Sequence, residues 1–118
     1  MSVRFMIIDG QAEFRSLLKH HLSTHWPDAI ISDFDPLESG HLPDEFSGAG
    51  NDIILLGCRL GDREGAEVIR GFKKKPNFPA VVYFGSKEEA GRVLDRGADG
   101  CFLRQGFSHD ALIVRLSD

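Results

Sequence analysis

Apolar runs and helical periods alternate along this chain from end to end. Val3 to Asp9 is an apolar run rich in β-formers, and Phe14, Leu17, Leu18, His21 and Leu22 then recur at helical spacing, so a strand is expected to lead into a helix. Ala29 to Phe34 reads as a second strand. The segment 35–51 holds glycines and prolines with almost no periodicity, and Pro43-Asp44-Glu45-Phe46 is its best candidate for a short helical turn. Ile53 to Leu56 is a continuous apolar run, as in a strand covered on both faces, and Ala66, Ile69 and Phe72 give the next helix its buried stripe. Ala80 to Phe84 is a further strand, and Ser86-Lys87-Glu88-Glu89 has the form of a capping box opening the helix that carries Ala90, Val93 and Leu94. A short strand, Cys101 to Leu103, and a helix capped by Ser108 with Leu112 and Leu116 inward complete the series.

Strand and helix alternating without hairpin turns imply an α/β fold with a parallel sheet, right-handed crossovers and helices on both faces. For five such units the expected form is a flavodoxin-like doubly wound (βα)5 sheet of strand order 2-1-3-4-5, a single three-layer domain over residues 1–118 with a weak or short second helix. Its functional crevice lies beyond the carboxyl ends of the first and third strands, where Asp9 and Gly57 meet.

Composition narrows the function classes. With 42% hydrophobic and 27% charged residues the chain has the balance of a globular protein, and no apolar stretch approaches the length of a membrane span. A cytoplasmic location is expected. The net charge of −4 supplies no basic footprint for nucleic acid, and the one basic run, Lys73-Lys74-Lys75 before Pro76, reads as a solvated helix end. Cys58 and Cys101 lie at strand ends without metal-ligand spacing and are expected as reduced thiols. No Ser/His/Asp set, P-loop or dinucleotide fingerprint is present, so neither an enzyme nor a cofactor is expected.

Three stretches fall at family spacings: Ile7-Ile8-Asp9, the loop from Leu55 to Gly65, and Gly97-Ala98-Asp99-Gly100. Together they make the whole chain resemble the receiver domain of response regulators. Phosphoryl transfer in that family needs an acidic magnesium pocket, an acceptor aspartate closing the third strand, a hydroxyl and a lysine. The resemblance places Asp9 as the first pocket acid, but Gly10 stands for the second and Gly57 for the acceptor. Counted from Pro79, the hydroxyl position falls on Phe84, with Ser86 as the alternative if a gap intervenes. Arg104 stands at the lysine, Gln105 at the following proline and Cys101 at the aromatic switch. The implied domain is a degenerate pseudo-receiver.

One carboxylate beside Arg59 and Arg104 repels magnesium, and Arg104 is placed to meet Asp9 as a planar fork, standing in for metal and phosphate. Asp62 and Glu64, in the loop after the third strand, read as solvated or capping acids. His21 and His25 are spaced four apart without a third metal ligand and read as helix-end packing groups.

The resemblance further implies a contact surface on the fourth helix, fifth strand and fifth helix, for dimerisation or for docking an output domain of a longer signalling protein. Arg92, Asp95, Arg96, Asp110 and Arg115 put both charge signs there, around Cys101, which suits a symmetric homodimer contact or equally a solvated surface. Protein partners, and neither nucleic acid nor membrane, are therefore expected. Two alternatives stand beside this one: an anion or small-molecule sensor using a vacant crevice lined by Arg59 and Arg104, and a phosphorylated regulator with a shifted acceptor.

Overall fold

A computed structural model describes residues 2–117. Five strands, β1 (Arg4–Ile8), β2 (Ile30–Phe34), β3 (Ile53–Gly57), β4 (Ala80–Gly85) and β5 (Gly100–Leu103), form one parallel sheet in the order β2-β1-β3-β4-β5. The helices are α1 (Ala12–His25), α2 (Pro36–Ser39), α3 (Gly65–Lys73), α4 (Lys87–Asp95) and α5 (His109–Ser117). The expected doubly wound α/β fold is thus present.

Period-two alternation sorts the central strands between two cores. Phe5, Ile7, Leu55, Val82 and Phe84 pack under Phe14, Leu18 and Leu22 of α1 and Leu112 and Leu116 of α5. Ile8, Ile54, Leu56, Val81 and Tyr83 pack under Ala66, Ile69 and Phe72 of α3 and Val93 of α4. Leu17 and Leu94 are 43% and 49% exposed: each lies one position away from a stripe that Leu18 and Val93 already fill.

Segment 35–51 is mostly irregular, but its short helix lies at Pro36–Ser39 and not at Pro43–Phe46. Asp35 caps it, Oδ1 accepting from Leu37 N at 2.9 Å, and Pro36 occupies the first turn, where its missing N–H costs nothing. Pro43 starts only a turn, closed by Phe46 N donating to Pro43 O at 3.0 Å. Phe46 then packs on Phe72 and Phe78, which holds the irregular segment against α3.

Helix ends follow the capping signals. Glu89 Oε1 accepts from Ser86 N at 2.8 Å, and Ser108 Oγ accepts from Ala111 N at 3.0 Å. Lys73 is not merely solvated: its Nζ donates to Asp99 Oδ2 at 2.7 Å and to Pro79 O at 3.2 Å, joining α3 to the turn before β5.

Candidate functional site

Parallel strands bring their carboxyl ends, and the loops that leave them, to one edge of the sheet. β1 and β3 are neighbours there, so Asp9, one residue past β1, meets the last residue of β3, Gly57. Asp9, with 0% exposure, is the one buried charged residue among the described residues. All its acceptor capacity is engaged. Oδ1 accepts from Arg104 Nη1 at 2.9 Å and Arg59 N at 3.1 Å, while Oδ2 accepts from Arg104 Nη2 at 2.8 Å and Gln11 N at 2.9 Å.

Arg104 is fixed as firmly as its partner. Its side chain is 11% exposed, its Nη2 also donates to Gln11 Oε1 at 2.9 Å, and its guanidinium carbon sits 4.0 Å over the Phe14 ring centroid. Phe14 belongs to an aromatic group with Phe84 and Phe107, centroids 5.5 and 6.5 Å away, which shields the pair from water. Burial pulls the guanidinium pKa down, but the hydrogen bonds and charge of Asp9 outweigh it and raise it above the ordinary arginine value. The bidentate fork is the strong form of this ion pair, and its near-complete burial makes each partner depend on the other.

Both glycines of the site are closed by neighbours. A Cβ at Gly57 would collide with Asp9 Oδ1 and come 2.7 Å from its Cγ, so the carboxylate leans into the space that a side chain at position 57 would need. A Cβ at Gly10 would collide with Leu37 and come 2.9 Å from Arg59 O, which accepts from Gly10 N at 2.8 Å. Asp9 and Leu37 thus fill the space immediately beside these two glycines, while hollows of about 400 and 300 Å³ remain on either side of Arg104. Arg59 offers its backbone N–H to Asp9, and the residue is exposed.

Phe84 pairs in register with Gly57, is wholly buried and stacks 5.7 Å from Phe102, so the expected hydroxyl position is apolar; Ser86 opens α4 instead. Cys101 is half-buried against the α3 and α4 core, and burial first, then the charge of Glu89, push its thiol pKa up. Asp62 is exposed and paired with His41 at 2.9 Å, whereas Glu64 lies 3.8 Å from Arg92. A magnesium ion, which the resemblance implies, does not fit these residues, because the one pocket carboxylate already receives N–H donors on both oxygens and a guanidinium occupies the adjoining space. Among the described residues no group of three or more His, Cys, Asp or Glu side chains could hold a metal.

Two polar pairs lay outside the sequence reading. Tyr83, 0% exposed, donates its hydroxyl to Glu89 Oε2 at 2.6 Å, its ring lying against both Gly65 and Gly85. Burial and then Glu89 push the phenol pKa far above its usual value. Burial also pushes Glu89 up, but the hydrogen bonds from Tyr83 and Ser86 prevail and hold its carboxyl below the ordinary 4.5. Its contribution to stability is therefore complete above pH 4.5 and is lost as pH falls through the lowered value. Tyr83→Phe should cost about 1–2 kcal/mol at neutral pH and flatten this acid limb, as read by urea unfolding across pH.

The second pair joins α1 to α5. His21 Nδ1 and His109 Nδ1 lie 2.8 Å apart, one donating and the other accepting, so His21 meets His109 and not His25, which packs on Trp26. Burial first, then His109 and His20, lower the His21 pKa below 6.5.

No family model matches the sequence, and no curated protein matches it. The fold, by contrast, has many counterparts among solved structures. The signal receiver domain of a DNA-binding response regulator from Colwellia psychrerythraea superposes with TM-score 0.77 at 19% identity, covering 99% of this chain and 100% of that one. A two-component response regulator from Clostridium difficile gives 0.76 at 18%, covering 98% and 93%. The response regulator ChrA of a heme-sensing two-component system gives 0.74 at 17%, covering 98% of this chain and 55% of that longer one. This chain has the fold of response-regulator receiver domains.

Proposed function

We propose that this domain is a pseudo-receiver, acting in two-component-type signal transduction by protein contact and without aspartyl phosphorylation. The observation that carries this reading is the fully engaged Asp9 carboxylate, leaning over Gly57 and locked by Arg104. Phosphoryl chemistry on this fold needs an open carboxylate at the end of β3 and a metal beside it. Here a glycine ends the strand and an arginine neutralises the neighbouring acid, which favours one permanent conformation over a switched pair of states.

The contact surface is the face of α4, β5 and α5. Leu94, Leu103 and Val114 are 49%, 51% and 65% exposed on these elements, which also carry the exposed charges Asp95, Asp110 and Arg115, with Arg92 and Arg96 elsewhere on α4 and its C-terminal end. Apolar centres with charges of both signs around them suit a two-fold contact, in which each acid meets a base of the second copy. Arg92 turns to the α3 side, 3.8 Å from Glu64, so the charges left to the contact are those of Asp95, Asp110 and Arg115. Sedimentation without any phosphodonor tests the reading: self-association is expected, weakened about tenfold or more by Val114→Glu. A wild-type monomer at all accessible concentrations, or a Val114→Glu variant that associates equally well, would refute this interface. The substitution should leave unfolding stability within about 0.5 kcal/mol, since Val114 is exposed.

A further inference from the structure

On the α3 side of the sheet the irregular segment after α2 does not close flush against the helix. Between Leu42 and Phe72 a groove of about 370 Å³ remains, with Ile8 and Leu60 in its lining. Its rim is basic. Arg63, Lys74 and Lys75 stand there against Asp44 alone, and none of the three cations is in an ion pair among the described residues. Gly71 of α3 also lines the groove, and a Cβ built on it meets nothing within 4 Å. A glycine inside a helix is unfavourable where alanine fits, so this position gives up helix propensity and leaves the groove open.

We infer that this groove binds a small amphiphilic anion, with an aromatic or aliphatic body on the apolar lining and a carboxylate or sulfonate head at the Arg63, Lys74 and Lys75 rim. The volume is that of a small-molecule site, which typically runs from about 300 to 1,000 Å³. Unpaired rim cations draw an anion in and orient it, while the apolar lining supplies the affinity. The site is separate from Asp9 and from the α4–β5–α5 face, so it stands whether or not the contact reading does.

Anilinonaphthalene sulfonate is a suitable probe, being an aromatic body with one anionic head. Titrated into the native protein it should show saturable fluorescence enhancement at one site. Gly71→Leu, which places a side chain in the open space, should weaken that binding about tenfold or more while leaving the cooperative unfolding transition in place. The surface double variant Lys74→Glu/Lys75→Glu should weaken the sulfonate similarly, yet change binding of uncharged phenylnaphthylamine by less than about twofold. It retains the test if Gly71→Leu does not fold. Unsaturable binding, wild-type affinity in a folded Gly71→Leu, or equal loss of charged and uncharged probes in the double variant would overturn the assignment.

Discussion

Arg104→Ala is expected to lower the unfolding free energy by about 3–5 kcal/mol, the usual cost of stranding one member of a buried ion pair. Asp9 is 0% exposed and would lose both donors of the fork, keeping only the N–H groups of Arg59 and Gln11. Phe14 would lose the cation stacked on its ring. For a domain of this size the midpoint of thermal unfolding should fall by roughly 10–25 °C. Asp9→Asn should also destabilise, since the amide presents a donor to groups that need an acceptor. The double variant should lose clearly less than the sum of the two, because the same interaction is removed twice. Urea unfolding of the four proteins measures the coupling, and strict additivity would show that the pair does not act as a lock.

Restoring an acid to the end of β3 should harm the protein and not revive a switch. Gly57→Asp places a Cβ in collision with Asp9 and sets a second carboxylate beside the first. Overpacking alone costs about 1–3 kcal/mol, and the like charge adds to it unless one carboxyl holds its proton. We expect a loss of about 3 kcal/mol or more at neutral pH, partly relieved on acidification as the shared proton is taken up, with no gain of magnesium affinity. Calorimetry with and without magnesium reads both outcomes. Stabilisation of Gly57→Asp by millimolar magnesium would mean that Arg104 gives way and that the crevice is merely dormant. Gly10→Asp added to that variant should not help, since Leu37 and Arg59 O occupy the space.

Those outcomes bear on how far a sequence alone leads. The apolar run of Ile53 to Leu56 was legible because helices cover β3 on both faces, so both of its side-chain rows are hydrophobic. The approach of Arg104 to Asp9 was legible too, since parallel topology places the ends of β1 and β5 at one edge and leaves few partners for a lone acid. What the carboxylate does next was not. Its lean over Gly57 depends on where the Arg59 and Gln11 N–H groups point, which is loop geometry with no sequence period. For the same reason the contact that the Arg59 backbone makes with Asp9 had no sequence signal. Residues 35–39 carried a cap and a proline, Asp35 and Pro36, but Pro43-Asp44 offered a similar signal and four residues show no period to separate them. The Tyr83 to Glu89 bond was hidden because an apolar strand absorbs a tyrosine without comment and Glu89 already had a role in the cap. His21 and His109 stand 88 positions apart, beyond any local pattern.

The central claim is that this receiver fold works with its crevice locked and takes no phosphoryl group. Intact-mass measurement after incubation with acetyl phosphate and magnesium tests it most directly. The lock predicts an unchanged mass for the wild-type domain, because Gly57 offers no acceptor and both Asp9 oxygens are engaged. A stoichiometric gain of one phosphoryl group, dependent on magnesium, would contradict it.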